Sequence, residues 1–279
     1  MAPMYDFGGN GTVINLALAN GFPPQTYAPF VDPLTHEYRV VSLLPRALWG
    51  EAPPQKLINW KDLVAEDLSN GLREQHLTNT ILIGHSFGGV ASMLAAISAP
   101  KERVKAVILL DPVILPRPGM WMMRLSQLMG GEWGNPIVKG ALRRQDHFES
   151  VEAAYEKFKK KRLFADWDDA AVRGYAESML PAEDGGVKLA WSKAWEAYVF
   201  KTLYTGTWND AHDFPSDIPL LIVRGGNSDT FLSGAAARLK RLIPHATLVE
   251  ITGHGHLFPQ SAPEQTRKIV SEWLHAQGL

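Results

Sequence analysis

The chain has 279 residues, 46% of them hydrophobic and 20% charged, which is enough apolar material for one large core or two modest ones. Its 28 Lys and Arg against 29 Asp and Glu leave a net charge of −1, so no broad field draws phosphate backbones, and a nucleic-acid partner is not expected. The absence of cysteine excludes a disulfide framework, a thiol nucleophile and every cysteine-ligated metal.

The first nine residues carry Asp6 and neither a basic nor an apolar leader pattern. Apolar runs such as 106–110 are too short for ~30 Å of hydrocarbon, so no membrane span is expected and the cytoplasm is the default setting. Further along, short β-branched runs at 13–19, 38–44, 80–84, 104–110, 219–224 and 247–251 alternate with segments of helical period. That alternation is the pattern of an α/β protein with a mostly parallel sheet flanked by helices. Trp60, Val64, Leu68 and Leu72 recur every fourth residue after Asn59, predicting an apolar helix face behind an Asn N-cap. Near the end, Ser261 and Glu264 have capping-box spacing ahead of Ile269, Val270, Trp273 and Leu274, predicting a terminal helix on the sheet.

Between 113 and 216 the texture changes. No β-branched run appears, while Met and Trp accumulate among helix formers, and prolines mark both ends. The expected organisation is a core of residues 1–112 and 217–279 with an inserted helical cap at 113–216. The basic cluster from Lys157 to Arg162 reads as the wet face of a cap helix.

The strand at 80–83 runs into Gly84-His85-Ser86-Phe87-Gly88-Gly89, followed by a helical stretch that Pro100 stops. Strand, sharp turn and helix are the setting a Gly-x-Ser-x-Gly nucleophile elbow requires, because small flanking residues let the backbone fold past itself. Ser86 then stands exposed at a helix N-terminus, where free N–H groups favour developing negative charge.

On these residues the chain resembles the α/β-hydrolase superfamily of esterase- and lipase-like serine hydrolases, over nearly its whole length. The resemblance implies an acid and then a base downstream of Ser86. Gly225-Gly226-Asn227-Ser228-Asp229 is similar to the superfamily's acid loop and points to Asp229. Gly253-His254-Gly255-His256 is similar to its histidine loop, making His256 the base and His254 a neighbour. Asp111, after the strand at 104–110, is the alternative acid, since some members carry the carboxylate there. In place of the family's His-Gly-x-Pro stands Asn20-Gly21-Phe22-Pro23, which assigns the oxyanion hole to the N–H groups of Phe22 and Phe87. The loop at 44–50 also departs from the family pattern, and its Arg46 reads as a surface side chain over Trp49.

The expected activity is therefore hydrolysis of carboxylic esters through an acyl-enzyme on Ser86. The alternatives are carbon–carbon bond hydrolysis or acyl transfer by the same triad, or a non-catalytic ligand receptor on the scaffold. Met122, Met123, Met129 and Trp133 are candidate linings of an apolar substrate pocket. The expected partner is a small ester with an apolar acyl or alcohol part, bound by a monomer or homodimer. No cofactor or metal is expected, because His254 and His256 have no accompanying ligand cluster.

Overall fold

A computed structural model describes residues 2–100, 103–132, 135–183 and 185–279. In chain order its strands are β1 (Met4–Gly8), β2 (Val13–Ala17), β3 (Arg39–Leu43), β4 (Thr80–His85), β5 (Val104–Leu110), β6 (His147–Phe148), β7 (Leu180–Pro181), β8 (Val187–Lys188), β9 (Leu220–Gly225) and β10 (Thr247–Ile251). Seven form one sheet in the order β1-β3-β2-β4-β5-β9-β10. Only β1 runs antiparallel, pairing with β3. All six predicted strands are present. β1 was not predicted, since its half-buried MYDFG gives no clean alternation to read.

The central strands β4 and β9 are buried along their whole length, as expected where helices cover both faces of a parallel sheet. The exposed far edge is β10, with Leu248 37% accessible. The helical period at 60–72 appears as a π-helical turn, Lys61–Ala65, running into the helix Glu66–Glu74. Asn59 Oδ1 accepts from the Lys61 and Asp62 amides, so the predicted cap forms. The terminal helix Pro263–Ala276 also forms, but Ser261 does not cap it. Its hydroxyl instead meets His254 Nδ1 at 3.1 Å.

Between β5 and β9 lie the helices Arg117–Leu128, Pro136–Arg143, Val151–Lys159, Asp169–Glu177 and Lys193–Lys201. The starts of four of them are capped by the side chains of Asn135, Ser150, Asp168 and Ser192. Sequence texture predicts helices alone here, yet β6, β8 and β7 pair as a small antiparallel sheet. Two-residue strands are too short to show a period, so only tertiary pairing defines them. Phe158, Phe164, Trp167 and Tyr175 form a core belonging to this segment, whereas Trp191, Trp195 and Tyr198 join the main core.

Candidate active site

Every candidate group sits at the carboxyl edge of the parallel strands, where loops and helix N-termini converge. At the end of β4, Ser86 adopts φ +60°, a conformation a non-glycine residue holds only when its surroundings enforce it. Two glycines make that turn possible by close approach. A Cβ on Gly84 would lie 2.3 Å from the Gly88 carbonyl oxygen, and one on Gly88 would lie 2.3 Å from that of Ala17. Ser86 thus enters the helix Phe87–Ser98 directly, and the Phe87 amide, first in that helix, has no preceding turn to donate to.

His256 lies in the loop after β10. Its Nε2 is 2.9 Å from Ser86 Oγ and its Nδ1 is 2.6 Å from Asp111 Oδ2. A carboxylate accepts, so Nδ1 carries the proton and Nε2 is free to accept from the Ser86 hydroxyl. Asp111 is fully buried just beyond β5, at φ +44°. Its Oδ1 accepts from the Gly225 amide at 2.9 Å, and Ser228 Oγ donates to its Oδ2. These donors stabilise the ionised carboxylate away from water.

Asp229, predicted ahead of Asp111 as the acid, is corrected by this geometry. It is exposed, and its carboxylate accepts from Thr230 Oγ1 at 3.2 Å rather than from His256. The turn after β9 sends the neighbouring Ser228 hydroxyl inward to Asp111 and leaves Asp229 on the wall of the cavity. Sequence reasoning missed Ser228, although it lies in the same quoted loop.

It also missed a buried relay behind the site. Tyr27 Oη accepts from the Ala19 amide at 2.9 Å and lies 2.8 Å from His85 Nδ1, while His85 Nε2 is 3.0 Å from the His256 carbonyl oxygen. A carbonyl cannot donate, so Nε2 carries the proton and Tyr27 donates to Nδ1. Burial, and then the neighbouring His256, push His85 well below the ordinary histidine pKa, consistent with a neutral ring. The residue between Gly84 and Ser86 therefore ties three loops together. The middle position of the elbow motif is the sequence signal that could have drawn attention to it.

Of the two predicted oxyanion donors, Phe87 is placed as described above. The Phe22 amide donates to the Ala19 carbonyl at 3.2 Å, closing the turn in which Asn20 and Gly21 lie. Asn20 Nδ2 donates to the Glu196 carbonyl oxygen at 3.0 Å, fastening that turn to the helix Lys193–Lys201. The loop at 44–50 makes its own bonds elsewhere. Arg46 forms a bidentate pair with Asp67 at 2.7 and 2.8 Å, and its guanidinium lies 5.6 Å from the Trp49 ring.

A cavity of about 390 Å³ opens above Ser86 and His256. Its wall is mostly apolar and includes Met123, Ile137, Leu163 and Phe200. Of the four predicted lining residues Met123 is there. Met122 and Met129 are not, being 60% and 55% exposed: the helix Arg117–Leu128 turns position 123 inward and 122 outward, and Met129 lies past its last residue. Trp133 lies outside the described residues.

The model of the alpha/beta hydrolase family matches residues 16–269. The chain is 27% identical over 214 residues to a 2-(acetamidomethylene)succinate hydrolase of Mesorhizobium japonicum, a match covering 76% of this chain and 70% of that protein. It is 26% identical over 216 residues to an sn-1-specific diacylglycerol lipase of Xenopus laevis, covering 74% of this chain and 61%, less than two thirds, of the lipase. A crystal structure of E-2-(acetamidomethylene)succinate hydrolase superposes with a TM-score of 0.73 at 22% identity, over 98% of this chain and 94% of that one.

Proposed function

Because the chain belongs to the alpha/beta hydrolase family and is a hydrolase, we propose that it is a carboxylesterase working through an acyl-enzyme on Ser86. The observation that carries this reading is the unbroken line from Ser86 Oγ through His256 to Asp111, at 2.9 and 2.6 Å. In this account His256 Nε2 takes the hydroxyl proton as Ser86 Oγ bonds to the ester carbonyl carbon, and the C=O electron pair moves onto oxygen. The Phe87 N–H meets that oxyanion. The Phe22 N–H joins it by exchanging its bond to Ala19, each donor contributing about 3 kcal/mol. The tetrahedral intermediate then expels the alcohol, which receives the proton from His256. Water repeats the sequence on the acyl-serine and releases the acid. Asp111 holds the imidazole in one tautomer and balances the imidazolium charge throughout.

The segment at 113–216 acts here as a cap, with Met123 and its neighbours receiving an apolar acyl or alcohol part. The relatives' names span a substituted succinate and a diacylglycerol. The apolar wall favours the second kind of substrate, an uncharged ester. The test is a graded series of para-nitrophenyl esters with Ser86→Ala, which is expected to lower kcat by about 10⁴-fold or more. Turnover unchanged in that variant contradicts the assignment.

A further inference from the structure

Close to the nucleophile lies a second charged assembly that the proposed reaction does not use. Arg144, just past the end of the helix Pro136–Arg143, donates through its two terminal guanidinium nitrogens, Nη1 to the Glu196 carboxylate and Nη2 to the Tyr175 hydroxyl. Its guanidinium carbon lies 5.9 Å from the centre of the Tyr175 ring. The Arg144 and Glu196 side chains are only 17% and 15% accessible. The assembly rests on the oxyanion turn itself. A methyl group placed on Gly21 would lie 3.4 Å from Glu196 Cδ and 3.6 Å from Arg144 Nη1.

The two partners differ in their relation to the cavity. Glu196 lines it, as does Asp229, whereas Arg144 does not, and among the described residues none that lines it is Lys or Arg. A guanidinium at this depth would be a strong receptor for a carboxylate, because its fork matches both oxygens. Glu196 and the Tyr175 hydroxyl already take its two arms, one nitrogen each. A substrate bearing a negative acyl end therefore meets two carboxylates and no available cation, and pays for its desolvation without compensation.

We infer that Glu196 is a specificity-determining residue: by occupying Arg144 and presenting its own charge to the cavity, it makes the site select uncharged acyl groups over acidic ones. The inference deepens the esterase reading and rests on it for its kinetic arm. Discrimination here is by repulsion as much as by fit. Replacing Glu196 with glutamine removes the negative charge while its amide oxygen can still accept from Arg144, so the positive charge of the guanidinium behind the cavity wall is no longer balanced and favours an anionic substrate.

The experiment compares two ethyl esters of nearly equal shape, monoethyl succinate and ethyl isocaproate, in which a carboxylate replaces a dimethyl branch. The wild type is expected to favour the isocaproate. Glu196→Gln should raise the ratio of kcat/KM for succinate over isocaproate about tenfold or more, mainly through KM, with the gain shrinking at high salt. Adding Arg144→Met to Glu196→Gln should cancel that gain. Arg144→Met alone leaves Glu196 uncompensated, so the ratio should fall below the wild-type value. A merely structural role for the pair would depress both esters together and leave the ratio where it was, and that result overturns the inference.

A binding arm separates this outcome from failure of the esterase reading. In a Ser86→Ala background, calorimetry with monoethyl succinate should show tighter binding on adding Glu196→Gln and its loss on adding Arg144→Met as well. Equal affinities across these variants refute the role of Glu196, whatever turnover shows. Absence of Ser86-dependent turnover of both esters refutes the esterase reading alone.

Discussion

The sheet and the segment inserted between β5 and β9 treat their apolar residues in opposite ways. Ile81, Leu82, Ile83, Val107, Ile108 and Leu109 on β4 and β5 have no accessible surface. On the helix Arg117–Leu128, by contrast, Trp121, Met122, Leu125 and Leu128 are 69%, 60%, 49% and 85% exposed. The line from Ser86 through His256 to Asp111 is held where packing is tight and where Asp111, His256 and His85 are each hydrogen-bonded. The pocket is completed where packing is loose. Rigid positioning of a proton relay and adaptable accommodation of a substrate demand different environments, and the fold assigns them to different layers.

The contrast breaks most readily at Gly88, whose Cα hydrogen faces the Ala17 carbonyl. Gly88→Ala should lower the unfolding free energy by about 3 kcal/mol, because neither backbone can yield without distorting the elbow. Denaturant unfolding measures it, and a loss of a few tenths would mean that the close approach is not rigid. Next comes His85. His85→Phe removes the partner of Tyr27 and of the His256 carbonyl and should destabilise by about 2 kcal/mol.

The same histidine sets a pH dependence. Its folded pKa lies well below the ordinary histidine value of 6.5, so the unfolded state binds more protons as the pH falls past 6.5. The contribution of His85 to stability is thus fully present above 6.5 and is lost on acidification towards the folded pKa. Unfolding midpoints measured across that range should fall more gently in His85→Phe than in the wild type. Parallel curves would show that the ring is not held neutral. The smallest effect belongs to the inserted segment, where Leu128→Ser should change stability by less than about 0.5 kcal/mol, since Leu128 is mostly in solvent already. A larger loss would mean that this helix face is covered in solution.

Much of the architecture is legible because parallel strands buried on both faces leave nearly continuous apolar runs, as at 80–84 and 104–110. Ser86 and His256 are legible for a different reason. The elbow needs glycines at fixed offsets, and the histidine loop carries its own. The acid is less so. Asp111 and Asp229 each follow a strand of the same sheet, and the choice between them depends on which turn aims inward, a property of backbone direction that residue types do not encode. Asp111 followed by Pro112 also has the composition of an ordinary turn, which hides it. His85 and Tyr27 escape notice because a buried polar pair is recognisable only once both partners are placed, here 58 residues apart.

The central claim is that the proton relay ends on Asp111, and the most direct test is a matched pair of isosteric substitutions assayed for ester hydrolysis. Asp111→Asn should leave the fold in place yet reduce kcat by about 10⁴-fold, since an amide can no longer fix the imidazole tautomer. Asp229→Asn should stay within about threefold of wild type, because its carboxylate bonds Thr230 and not the ring. The reverse outcome, with Asp229→Asn inactive and Asp111→Asn near normal, would contradict the account.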